Sequence, residues 1–245
     1  MKSGRYRVRR IIGGLSALAL VAAWLLLNPA SYQSEPLSAS SENSPENNSS
    51  VEINPSDQTL AINVLEALEI KGRAPKTGYK RTEFYKTWPN IDGCNLRQRI
   101  IKREVGDSAK LDGCDVVAGT FVEPYTGETR TYNSKAEFSK NIQIDHIVAL
   151  SDAWQKGAQN LSSERRYELA TDPLNLVAAD SSANQQKSDG DAATWLPKNK
   201  AFRCQYVARQ VSVKKKYALW VSQAEHDAIK DILNTCPSEK VVGLE

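Results

Sequence analysis

The chain has 245 residues, 40% of them hydrophobic and 25% charged, enough for one domain with a true core plus appendages. Basic residues number 32 and acidic residues 29, and the segment from residue 59 onward keeps 27 against 24, a net charge of +3. A surplus this small permits a nucleic-acid partner but excludes inferring one from charge alone.

Lys2, Arg5, Arg7, Arg9 and Arg10 precede an uncharged apolar run at 11–27. This pattern assigns residues 1–30 to a signal peptide or an N-terminal membrane anchor. Pro29 disfavours cleavage, so both forms stay open. Residues 31–58 are rich in Ser, Asn, Glu and Pro and hold no Lys or Arg. Such a stretch buries too little apolar surface to offset its ordering entropy and reads as a disordered linker. Residues 59–245 are then the folded domain.

Ser56 precedes Leu60, Ala61, Val64, Leu65 and Leu68, a helical spacing. Gly72, Pro75, Gly78, Pro89 and Gly93 make 72–93 mostly loop. Leu96, Ile100 and Ile101 predict a short helix after Cys94. A strand over 115–122 runs into the turn Pro124-Tyr125-Thr126-Gly127, where proline presets the bend and glycine is free to take positive φ, and 129–132 returns as a second strand. A further strand, 141–148, carries Asp145-His146 near its end. Short helices follow at 151–157, with Trp154 in the core, and at 164–170. Residues 174–178 read as strand, and a helix starting at Ser182 carries Asn184 and Lys187. Two helices close the chain near 198–210 and 222–235, the second opened by the capping box Ser222-Gln223-Ala224-Glu225.

The four cysteines, Cys94, Cys114, Cys204 and Cys236, include no Cys-x-x-Cys pair, which argues against a zinc ribbon. An even count in an exported chain favours two disulfides. Three pairings exist, and Cys94–Cys114 with Cys204–Cys236 is preferred because each closes a local segment.

The chemistry-bearing pattern is Ile144-Asp145-His146-Ile147-Val148, then Asp172-Pro173-Leu174-Asn175-Leu176, then Asn184-Gln185-Gln186-Lys187-Ser188-Asp189. His146 is one of only two histidines. The order resembles the HNH nuclease site, and the Asn175-to-Asn184 spacing looks like that of the HNH domain of RNA-guided CRISPR nucleases. With Pro124-Tyr125-Thr126-Gly127, Ala153-Trp154, Gly157-Ala158, Trp195-Leu196-Pro197 and Cys204-Gln205-Tyr206, the region 80–236 is similar to secreted HNH endonuclease-like proteins, related to the C-terminal nuclease domain of modification-dependent (type IV, GmrSD-like) restriction enzymes.

The resemblance implies an α+β fold with a ββα-metal (HNH, His-Me finger) nuclease core and flanking helices. It implies an exported metal-dependent endonuclease acting on DNA, with RNA as an alternative substrate. Asp145 and Asn184 would hold Mg²⁺ or Mn²⁺, which prefer oxygen ligands. His146 would be the general base, suited by an unperturbed pKa near neutrality. Asn175 would hold the His146 loop, and Lys187 would meet a phosphate. Arg165, Arg166 and Arg97 are weaker phosphate candidates. His226 reads as surface or structural, and Lys214-Lys215-Lys216 as a solvated run or a contact to a nucleic-acid backbone. Trp88, Trp154, Trp195 and Trp220 read as core, with base stacking open to an exposed one. No Gly-x-x-x-x-Gly-Lys-[Ser/Thr] loop is present, so NTP-driven cleavage is unsupported. Membrane contact is expected only through an uncleaved N-terminus, and no protein partner is implied. The competing reading is a non-catalytic envelope module that binds nucleic acid or protein on the same scaffold.

Overall fold

The computed structural model describes residues 59–243; the segments read as export signal and linker, 1–58, lie outside the described residues. Among the described residues no helix is long and apolar enough to cross a membrane.

The first apolar run forms helix α1 (Ala61–Glu66), which buries Ala61, Val64 and Leu65. After it, 67–89 is loop apart from a single 3₁₀ turn at Arg81–Glu83. Two short strands, β1 (Asn90–Ile91) and β2 (Cys94–Asn95), pair antiparallel and lead into α2 (Leu96–Val105). The Asn95 side chain accepts from the Arg97 amide and so satisfies one free donor at the helix start. Strands β3 (Lys110–Asp112), β4 (Asp115–Val122) and β5 (Thr129–Tyr132) form an antiparallel sheet. Gly119 lets α2 pack close on β4, since a Cβ there would stand 2.4 Å from Val105 Cγ1.

The turn joining β4 to β5 is organised by a carboxylate. Glu123 is fully buried and accepts from the amides of Tyr125 (3.1 Å), Thr126 (2.6 Å) and Asp180 (2.9 Å). Gly127 takes φ +78°, the freedom this turn requires.

Helix α3 (Lys135–Asn141), absent from the sequence reading, precedes β6 (Ile142–His146). Helices α4 (Leu150–Gln155) and α5 (Ser163–Thr171) separate β6 from β7 (Leu176–Asp180). β6 and β7 pair antiparallel, with Ile142 opposite Asp180 and His146 opposite Leu176. The chain then passes directly into α6 (Ser181–Lys187), capped by the Asp180 carboxylate on the Ser182 and Ala183 amides. β6, β7 and α6 are a ββα unit inside an α+β domain. Helices α7 (Arg203–Lys216) and α8 (Gln223–Asn234) complete it, the latter with the expected capping box.

Three apolar clusters hold these elements. One joins α1, α7 and α8 to Ile147, Val177 and Tyr125. A second surrounds Trp154, Phe84 and Leu169. The third packs α2 on Phe121, Ile144 and Leu176. Between α4, α7 and α8 lies a buried ionic network. Lys156, with no exposed surface, contacts Asp152 (2.7 Å), Asp191 (2.8 Å) and Glu225 (2.6 Å). Lys214 joins Glu225 at 3.0 Å, and Arg73 joins Asp191 at 2.7 Å. Three cations match three carboxylates, which is what burial of charge demands. Lys214 is therefore neither solvated nor free to touch a nucleic-acid backbone, which corrects that reading for one member of the lysine run. Disulfides join Cys94 to Cys114 and Cys204 to Cys236.

Candidate active site

β6 delivers Asp145 and His146 to a cavity of about 350 Å³, and α6 delivers Asn184 to the same cavity. The register of β6 on β7 sets this, because α6 begins immediately where β7 ends and lies back over β6. Asn184 is oriented by its amide nitrogen, which donates to Gln143 Oε1 at 2.8 Å.

His146 is 4% exposed. Its ring stacks on Trp88 with centroids 5.8 Å apart and contacts Tyr85 at 5.9 Å. Nε2 lies 2.9 Å from the Ala170 carbonyl, which fixes the tautomer with Nε2–H donating and Nδ1 carrying the lone pair. Burial lowers the imidazole pKa to about 3; the Ala170 carbonyl opposes this, and the charges of Arg81 and Lys187 add to it. The ring is neutral across the physiological range.

Asn175 is fully buried behind the histidine. Its Oδ1 accepts from the Val148 amide at 2.8 Å, and its Nδ2 donates to the Leu169 carbonyl at 3.2 Å. Its own carbonyl accepts from the Ile147 amide at 2.8 Å. One side chain thus ties the backbone just after His146 to the backbone just before its acceptor, Ala170.

Four expected phosphate contacts have internal partners in this structure. Lys187 is 1% exposed; its ammonium lies 3.0 Å from Asp145 Oδ2 and donates to the His146 carbonyl at 2.8 Å. It is an internal counter-ion, because a lysine buried beside a carboxylate is held there by the pairing. Arg97 donates to the Ile142 carbonyl at 2.9 Å. Arg165 bonds Glu168 at 2.5 Å and the Lys216 carbonyl at 2.6 Å. Arg166 bonds the carbonyls of Glu83 (3.0 Å) and Leu161 (2.5 Å). None of the three arginines lines the cavity. His226 lies on α8, nearly buried, 3.7 Å from Glu66.

The cavity holds residues that sequence reasoning missed. Lys76, Tyr79 and Arg81 come from the loop read only as loop, and Ser151 lines the cavity with them, its hydroxyl donating to Asp189 at 3.0 Å. Six basic residues fall within 71–86, a local density that signalled this wall. Tyr125, read only as a turn residue, donates its hydroxyl to Asp145. Burial first, then the neighbouring Asp145, raises the Tyr125 pKa well above its ordinary value, so it stays a donor.

Among the described residues no group of three or more His, Cys, Asp or Glu side chains could hold a metal ion, so a cation in this cavity would rest on Asp145 and Asn184. Both residues line one polar cavity, and carboxylate and amide oxygens are the donor class that Mg²⁺ accepts with water and phosphate oxygens. Lys187 and Tyr125 share the Asp145 carboxylate but do not exhaust its four or so lone-pair sites.

An Asp-His pair closing one strand of an antiparallel pair, with a helix carrying an asparagine laid across it, is compatible with an α+β nuclease core. The chain belongs to the family of GmrSD restriction endonucleases, C-terminal domain, which residues 106–232 match. It is also 35% identical over 182 residues to an uncharacterized secreted protein of Arthroderma benhamiae (strain ATCC MYA-4681 / CBS 112371), covering 73% of this chain and 85% of that protein. No solved structure matches it.

Proposed function

We propose that this protein is an exported metal-dependent endonuclease that hydrolyses phosphodiester bonds, with DNA as the primary substrate. The observation that carries the reading is the His146 geometry. Nε2 is committed to the Ala170 carbonyl, and the ring lines the same cavity as Asp145 and Asn184. In this role Nδ1 accepts the proton of the attacking water. A base with a pKa near 3 is weak, and burial is the main cause; a phosphodiester beside the ring raises the pKa in part by offsetting the lesser contributions of Arg81 and Lys187. Asn175 keeps the ring in register, and Tyr125 with Lys187 holds the Asp145 carboxylate toward the cavity. Mg²⁺ or Mn²⁺ bound by Asp145 and Asn184 would stabilise charge on the phosphate and the leaving 3′ oxygen. Export is supported by the two disulfides, the basic and apolar N-terminus and the secreted relative.

The test is plasmid nicking with Mg²⁺ and with excess EDTA, for the wild type and His146→Ala. Wild type should nick only with the metal, and His146→Ala should lose about 10²–10⁴-fold in rate. Full activity in EDTA removes the metal from the reading. A wild-type rate in His146→Ala removes the base, and no nicking by the wild type favours the non-catalytic binding module.

A further inference from the structure

We propose that Arg81 is the phosphate-binding guanidinium of this cavity, taking a non-bridging oxygen of a nucleic-acid phosphodiester. The proposal rests on the nuclease reading above. Arg81 occupies the 3₁₀ turn of the 67–89 loop and lines the cavity with Asp145, His146 and Asn184. It is anchored on the wall that holds the histidine. Nε donates to the Tyr85 hydroxyl at 3.1 Å, Nη2 donates to the same oxygen, and the guanidinium carbon sits 5.1 Å from the Tyr85 ring centroid. Tyr85 in turn contacts the His146 and Trp88 rings.

Charge matching singles this residue out. The carboxylates lining the cavity are Asp145 and Asp189. Lys187 pairs with the first, and Lys76 pairs with the second at 2.9 Å. Arg81 has no carboxylate partner among the described residues and leaves the wall with one unmatched positive charge. A phosphodiester group carries one negative charge and so balances it. A guanidinium has five N–H donors; Tyr85 takes two, and three remain for phosphate oxygens in the fork geometry that arginine offers. Lys187 is paired internally with Asp145 and the His146 carbonyl, and Arg97, Arg165 and Arg166 do not line the cavity.

The experiment measures binding apart from turnover. His146→Ala and His146→Ala/Arg81→Ala proteins, with disulfides formed, are titrated against a fluorescein-labelled mixed-sequence DNA duplex by anisotropy at several salt concentrations. Losing a charge-assisted contact should weaken binding about 10- to 100-fold. The slope of log K against log salt should shrink by about 0.9. Arg81→Lys on the same background should retain the slope and recover part of the affinity. Lys215→Ala, on the exposed end of α7, should change neither. Equal melting temperatures exclude misfolding, since Arg81 is exposed. Affinity within twofold and an unchanged slope overturn the proposal, as does absence of measurable binding by the parent. If Arg81→Ala weakens binding while the wild type never nicks DNA, the phosphate site stands and the nuclease reading falls. If the wild type nicks and Arg81→Ala binds normally, the reverse holds.

Discussion

Asn175→Ala tests whether the backbone around His146 is held by one buried amide. The side chain is fully buried and makes three bonds: Val148 amide to Oδ1 at 2.8 Å, Nδ2 to the Leu169 carbonyl at 3.2 Å, and Nδ2 to the Val148 carbonyl at 3.4 Å. Truncation strands the Val148 N–H, which has no route to water, at a cost of about 1–3 kcal/mol. The two carbonyls and the space left by the amide add to this, so the total is about 2–4 kcal/mol. Urea unfolding at pH 7 measures it as a fall in midpoint at constant slope. Asn175→Asp separates the two sides of the amide. It keeps an acceptor for Val148 but sets a carboxylate oxygen against the Leu169 carbonyl, so it should also destabilise. Leu169 precedes Ala170, the acceptor for His146, so both variants should lose turnover at temperatures where they remain folded, with oligonucleotide affinity largely retained. A loss below about 1 kcal/mol for Asn175→Ala, where a buried orphan donor is expected to cost at least that, would refute the reasoning.

Lys156→Met removes the cation shared by Asp152, Asp191 and Glu225 and should cost about 3–5 kcal/mol by thermal or urea unfolding; an unchanged midpoint contradicts the network's role. The same network sets one acid limit. Burial pushes the Asp191 carboxyl up, but Lys156 and Arg73 overcome it and hold the pKa at about 2, so this stabilisation is present above pH 3.8 and lost as pH falls through 2. His146 sets an earlier limit: with a folded pKa of about 3 against an ordinary 6.5, the unfolded chain takes up a proton that the folded chain refuses. Stability should be full above pH 6.5 and fall by up to ~1.4 kcal/mol per unit toward pH 3, a slope that His146→Gln should reduce. Reduction of the bridges, which span separations of 20 and 32 residues, should cost about 3 and about 4 kcal/mol respectively in denaturant melts; an unchanged midpoint in dithiothreitol counts against that contribution.

Elements with clean periodicity or punctuation were legible in the sequence. The apolar and β-branched run of β4, the glycine of the β4–β5 turn and the α8 capping box each state a local preference that packing does not contradict. α3 was not legible by periodicity, because Phe138 is its one buried residue. Its signal was the cap, Ser134 accepting from the Glu137 amide while Glu137 accepts from Asn133, a motif easily passed over in a polar stretch. α7 extends to Lys216, well past the expected end near 210, for a different reason. Its C-terminal lysines look like a solvated stop, yet Lys214 is buried by carboxylates from α4 and α8 that no local window contains.

The same distinction runs through the site. The identities of Asp145, His146 and Asn184 and their order along the chain were readable, since a strand end, a returning strand and a helix start place them within reach of one another. The cations were not readable. A lysine or arginine reveals its charge in the sequence but not what occupies its head group, and occupancy decides whether it can meet a substrate. Lys187 lies one helical turn beyond Asn184 and looked like the natural phosphate contact, yet that turn carries it beneath the cavity, onto the carboxylate of Asp145 and the carbonyl of His146. Arg97, Arg165 and Arg166 donate to main-chain carbonyls away from the cavity. Arg81, in a segment without periodicity, escapes both fates because its partner is a neutral phenol that orients the guanidinium and leaves its charge uncompensated. In a domain with a surplus of only three positive charges, the balance at the cavity wall rather than the net charge determines where an anionic backbone can bind.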